Sequence, residues 1–202
     1  MVVSKFGVAT LAVAALAVTA CAKKDTGAAD TTAASSTMTA DTSGMAASST
    51  AARGSWTDAN ILALLDEANV ADSSEGAIAA IKGTSAAVRN FGKQMVRDHH
   101  TLRMQGQALA KKLNITPAPP ADDKIPSDAQ KEMDNLNSTA KGKDFDKAYT
   151  DAQVDDHKKV LDLAVKAMAQ AQSTELKNLI QKATPVVQSH LDKAESIQKT
   201  LK

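Results

Sequence analysis

Three of the four histidines, His99, His157 and His190, interrupt or flank otherwise apolar helical stripes, as does one aspartate, Asp72. Imidazole nitrogens and carboxylate oxygens suit one divalent transition metal, Zn, Fe, Mn or Cu, and the interior between packed helices is a common place to hold it. Glu75, Asp98 and Asp156 stand within one helical turn of these positions and are expected as outer partners or alternative ligands. The same groups can instead hydrogen-bond across a core and fix the register of its helices with no metal. That metal-free polar layer is the first reading of the four residues, and a mononuclear metal site is the second. A dinuclear ferritin-type centre is not expected, because it needs Glu-x-x-His on two helices. Three residues before His99, His157 and His190 stand Val96, Val154 and Val187. Nor is there a Gly-x-Ser-x-Gly, a Cys–His pair or a Gly-rich phosphate loop, so the chain reads as a non-enzyme.

Positioning those groups requires long helices. From Trp56 onward apolar residues recur at helical period with no strand-like alternation. The spacing predicts helices at about 57–82, 86–113, 144–171 and 174 onward, with Thr57 or Ser55 and Ser173 as caps. Residues 114–127, with four of the five prolines, predict an extended connection, followed by a short helix at 128–138. The first long helix centres Asp72 on the stripe Ile61, Leu65, Ala68 and Ala79. In the second, His99 sits between Val88, Met95 and Leu102, Leu109. The third encloses Asp156 with Phe145, Tyr149, Ala152, Val160 and Leu163, and puts His157 on the flank. The last centres His190 between Val187 and Ala194. Folding each pair of helices about its turn brings Asp72 opposite His99, and His157 within a turn of His190. The expected architecture is an all-α four-helix bundle with a long crossover carrying the extra short helix. Pro185 is expected to kink the last helix or restart it, Met95, Met104, Met133 and Met168 to fill core space, and His100 to face solvent.

Composition narrows the function classes. The 202 residues carry 24 Lys+Arg against 23 Asp+Glu and only 2% aromatics, which excludes a basic footprint or base-stacking platform for nucleic acid. The single cysteine excludes a disulfide framework and a Cys-based zinc site. That cysteine ends an N-terminal segment with Lys5, an apolar run from Phe6 to Ala17, and Val18-Thr19-Ala20-Cys21. The segment resembles a bacterial lipoprotein signal, which implies removal of residues 1–20 and lipidation of Cys21. The absence of aspartate after Cys21 implies the periplasmic face of the outer membrane. Residues 21–54 hold no Val, Ile, Leu or aromatic side chain and read as a disordered Ala/Thr/Ser tether. Residues 55–202 read as the one folded domain. The final Lys202 resembles that of lipoproteins linked to peptidoglycan, although a terminal lysine is ordinary in so Lys-rich a chain.

A family resemblance rests on spaced motifs. Val88-Arg89-Asn90-Phe91-Gly92-Lys93-Gln94-Met95-Val96-Arg97-Asp98-His99 is similar to the "V-x-x-F-A-x-x-M-V-x-D-H" run of a bacterial family, domain of unknown function 4142. The likeness continues in Phe145-Asp146-Lys147-Ala148-Tyr149, Gln153-Val154-Asp155-Asp156-His157 and Pro185-Val186-Val187-Gln188-Ser189-His190-Leu191. Asp72 falls where the family usually has Glu, and Gly92 where it has Ala. The resemblance implies a ferritin-like fold and export, and no established reaction. The function expected is a lipid-anchored, periplasm-facing helical protein with a structural, stress or interaction role in the envelope and unspecified protein partners. The alternative is a ferritin-like protein with one metal in the bundle core. Histidines buried in neutral form would charge as pH falls and loosen the fold.

Overall fold

Three of the four long helices begin at a hydroxyl side chain that caps their first turn. The computed structural model describes residues 55–201; the signal segment, Cys21, the tether to residue 54 and Lys202 lie outside these. Thr57 opens α1 (Asp58–Lys82) with a capping box: its hydroxyl accepts from the Asn60 amide, and the Asn60 side chain accepts from the Thr57 amide. Ser85 caps α2 (Ala86–Leu113) through the Val88 amide, and Asn114 ends it in the left-handed conformation. The short α3 spans Ile125–Ser138, α4 Lys143–Gln170 and α5 Thr174–Thr200, the last capped by the Ser173 hydroxyl. Among the described residues the fold is all-α, without strands.

Three sequence expectations change. The short helix starts at Ile125 rather than 128, because Pro126 occupies its first turn, where a missing N–H costs nothing. Pro185 does not restart a helix: α5 runs through it unbroken. Of the four methionines expected in the core, Met104 is 52% exposed, whereas Met95 is fully buried.

The long helices pack in a closed ring, α1 on α2, α2 on α5, α5 on α4 and α4 on α1, while α3 lies on α1 and touches α4. Helices α1 and α2 approach closely where two glycines face each other. A Cβ built on Gly92 would stand 2.5 Å from the Gly76 carbonyl oxygen and 2.7 Å from the Ala80 nitrogen. Two carboxylates then tie one helical hairpin to the other. Asp146, buried in the first turn of α4, accepts from the Thr84 and Ser85 amides in the α1–α2 turn, both at 2.7 Å. Asp58, in the first turn of α1, accepts from the Gln172 and Ser173 amides in the α4–α5 turn at 2.7 and 2.9 Å. These reciprocal clamps set the relative level of the two hairpins.

Apolar side chains gather in two clusters. One includes Val88, Phe91, Met95, Phe145, Tyr149 and Ile197; the other includes Ile61, Ala110, Ala164, Ala167, Leu176 and Ile180. On all four long helices the polar candidates fall between these clusters in the chain. The inward face of α4 is rotated from the stripe read in the sequence. Phe145, Tyr149, Gln153, His157, Ala164 and Ala167 are buried, while Ala152, Val160 and Leu163 are only half-buried. His157 therefore takes the central place expected of Asp156, whose carboxylate is half-buried and pairs with Lys159 at 2.7 Å. The interior line runs at i, i+4 through Gln153 and His157, two polar residues that an apolarity pattern passes over.

Replacing Gly92 with Ala forces α1 and α2 apart and is expected to destabilise the domain by about 1–3 kcal/mol. Replacing Asp146 with Ala strands two turn amides and should cost about 2–4 kcal/mol. Urea unfolding measures both, and a midpoint unchanged in either variant would contradict the corresponding contact.

Candidate metal centre

His99 of α2, His157 of α4 and His190 of α5 meet between the two apolar clusters, each 1% exposed or less. Their ring centroids are 5.1 to 5.6 Å apart. Each ring offers a nitrogen that lies within 4.8 Å of those of the other two. Among the described residues this is the one cluster of three metal-ligand side chains so close together.

One nitrogen of each ring is hydrogen-bonded to an oxygen. His99 Nδ1 donates to Asn69 Oδ1 at 2.9 Å, and the Asn69 amide is oriented by its own donation to the Leu65 carbonyl. His157 Nδ1 donates to the Gln153 carbonyl one turn back, at 2.9 Å. His190 Nε2 donates to Asp98 Oδ2, also at 2.9 Å. A neutral imidazole has one N–H, and in each ring these bonds use it. The remaining nitrogens, His99 Nε2, His157 Nε2 and His190 Nδ1, keep lone pairs and have no hydrogen-bond partner. Orientation of the non-ligating nitrogen by an amide, a carbonyl or a carboxylate is the usual second support of a metal-binding histidine.

Asp72 lies beside the rings on their bonded side. Its carboxylate oxygens stand 3.5 Å from His99 Nδ1 and 4.0 Å from His157 Nδ1, and it is not among the converging atoms. Below it on α1, Glu75 is 1% exposed and accepts from Gln153 Nε2 at 2.7 Å. Gln153 thus carries two roles: its carbonyl orients His157 and its side chain anchors Glu75. Of the outer residues expected from sequence, Asp98 and Glu75 join this network directly, whereas Asp156 pairs with Lys159 instead. Sequence reasoning missed Asn69 and Gln153. Each stood in view as a polar residue one turn from a candidate, Asn69 before Asp72 and Gln153 before His157. His100 faces solvent, as expected.

Burial dominates the protonation of these groups. It holds His99 well below its ordinary value, helped by His157 and His190, and takes His157 down to about 4 against the opposing Gln153 carbonyl. Burial raises Asp72 well above the usual carboxylate range, with Asp156 adding, and pushes Glu75 up to about 9 with Asp72 adding. Burial thus favours the neutral forms of His99 and His157 and of Asp72 and Glu75 alike.

The family described as "Domain of unknown function (DUF4142)" matches residues 42–197 of the chain. No curated protein and no solved structure matches it.

The pKa directions give opposite pH dependences. For His99 and His157 the native state binds fewer protons than the unfolded chain, so their contribution is complete above about 6.5 and is lost as pH falls toward 4. For Glu75 the native state keeps a proton the unfolded chain releases, so its contribution is complete below 4.5 and is lost as pH rises toward 9. Between pH 6.5 and 9 the carboxyl effect acts without the histidine effect. Metal-free protein is expected to lose about 1–3 kcal/mol over that interval, and Glu75→Gln to flatten the decline. Urea midpoints that stay level from pH 6.5 to 9 in the parent would contradict the protonated state of Glu75.

Proposed function

The chain belongs to the DUF4142 family, and we propose that it holds one divalent transition-metal ion on His99, His157 and His190 inside a ferritin-like four-helix bundle. The observation that carries this reading is the set of three buried lone pairs with no donor to meet them. Unpaired acceptors in an apolar interior are costly, and a shared cation satisfies all three at once. Bonds of about 2.0–2.1 Å from imidazole to metal need nitrogens roughly 3.3 Å apart, a contraction within reach of side-chain torsions. Zn, Fe, Mn and Cu all accept imidazole, so the donor set by itself favours a class of ions rather than one of them. Asn69, the Gln153 carbonyl and Asp98 hold the rings in the ligating tautomer, while Asp72 and Glu75 supply buried carboxyls beside the positive charge. Three protein ligands leave a position for water or another small ligand.

The reading is of a non-enzymatic metal-holding protein, serving storage, buffering or protection. With the lipoprotein reading of Cys21, the bundle stands on a tether at the periplasmic face of the outer membrane, where envelope metal reaches it directly. The dinuclear oxygen chemistry of ferritins is not part of it, since the Glu-x-x-His pairs are absent.

Full-length protein purified without a polyhistidine tag and reconstituted with Zn or Co is expected to retain about one equivalent by mass spectrometry. Replacing all three histidines with Ala should abolish retention. Asp98→Asn is expected to weaken affinity about 10–100-fold, the usual cost of losing an orienting partner. Substoichiometric metal in the reconstituted parent would sink the proposal and leave the three histidines as a hydrogen-bonded register layer.

A further inference from the structure

Three histidines at 1% exposure or less can take up an ion only along a path through the bundle. A void of about 40 Å³ touches His99 between the long helices, room for a few waters at ~10–15 Å³ each. Outside it, α1, α3 and α4 enclose a half-open cleft of about 310 Å³. Ala68, Asp72 and Val160 line both cavities and form the wall between them. Asp72 is the polar member of that wall. It is 3% exposed, and its Oδ2 stands 3.5 Å from His99 Nδ1 and makes no hydrogen bond. The other carboxyls of the cleft are engaged: Glu75 accepts from Gln153 and Glu132 from Asn135, while Asp128 and Asp156 pair with Lys131 and Lys159. Lys124 lines the cleft as well, so its charge is mixed, and the free oxygen of Asp72 at its inner wall is what distinguishes it.

Two other openings border the inner void. The groove between α2 and α5 shares with it only Leu102 and Leu179, which offer an ion nothing in exchange for its water. Asp98, also in that groove, already accepts from His190. The opening beside the proline-rich crossover shares Asp66 and Gly106, and Asp66 is held by Arg103 and Gln107 at 3.0 and 2.9 Å. We infer that a divalent metal ion enters through the cleft between α1, α3 and α4 and passes to the histidines by way of the Asp72 carboxylate. This inference rests on the metal reading and gives that site its entrance. A hydrated ion fits the cleft but must shed water to enter the void, and a carboxylate oxygen is a ligand able to replace that water. The carboxyl proton leaves to water in the cleft as the ion arrives. The ion then moves on to His99, the ring that the void touches. Asp72 is thus a group of passage rather than a resident ligand, in keeping with its place outside the converging atoms.

Stopped-flow uptake of Co²⁺ by the metal-free full chain, read by its visible absorption, and its release to a chelator test the route. Ala129→Trp fills the cleft from α3 and Ala71→Phe fills it from α1, with circular dichroism checking that both stay helical. Each is expected to retain one equivalent and to slow capture and release alike by about 10-fold, since a barrier on the path delays passage in both directions and leaves affinity unchanged. Asp72→Asn should likewise slow both with Kd nearly unchanged, whereas loss of a resident ligand would speed release and weaken Kd. Val186→Trp, in the groove between α2 and α5, should leave both rates as in the parent. Parent-like rates in the folded cleft variants or in Asp72→Asn, or slowing by Val186→Trp in their place, would overturn the route while the bound equivalent leaves the metal reading standing. A parent that takes up no Co²⁺ would overturn the metal reading and the route together.

Discussion

Everything in this domain is arranged around three imidazoles that are buried with nothing to accept a bond from. An apolar residue at any of the three places would pack without penalty, and a polar one costs stability unless a partner repays it. The structure supplies partners on one side of each ring only. Asn69, the Gln153 carbonyl and Asp98 each bond one nitrogen of a ring, and the other nitrogen of each ring has no hydrogen-bond partner. A layer meant only to fix helix register would be served better by bonds from ring to ring. This one is complete on its outer side and incomplete at the other nitrogens.

Holding such a layer demands rigidity from its neighbours. Apolar clusters occupy the chain on either side of it, with Phe91 and Tyr149 in one and Ile180 and Leu176 in the other. The glycine crossing of α1 and α2 brings Asn69 and Asp72 close enough to reach His99. The clamps made by Asp146 and Asp58 prevent either hairpin from sliding past the other, because a shift of one turn would break four charge-assisted bonds. Level, rather than proximity alone, is what those bonds secure.

The acids around the layer form a gradient from inside to outside. Burial raises Asp72 and Glu75 above the usual carboxylate range, Asp98 reaches partly to solvent, and Asp128 and Asp156 pair with Lys131 and Lys159.

Much of this was legible in the chain. Apolar period, Thr57 and Ser173 define where helices run, since helix caps and amphipathic stripes are local properties. His99 and His190 stand in the middle of their stripes and announce themselves as buried. His157 did not, because Gln153 beside it made the true inward line of α4 look polar and shifted the reading toward Asp156. Pro126 read as part of a loop although it starts α3, an ambiguity that a proline always carries at a helix edge. What the sequence alone determined was the set of helices and four titratable groups, Asp72, His99, His157 and His190, at comparable depth. Only the tertiary structure decided which nitrogen of each ring is bonded and that Asp72 faces the bonded edges. The reason is physical: those choices depend on oxygens from α1, α2 and the backbone of α4, brought together by packing between residues far apart in the chain.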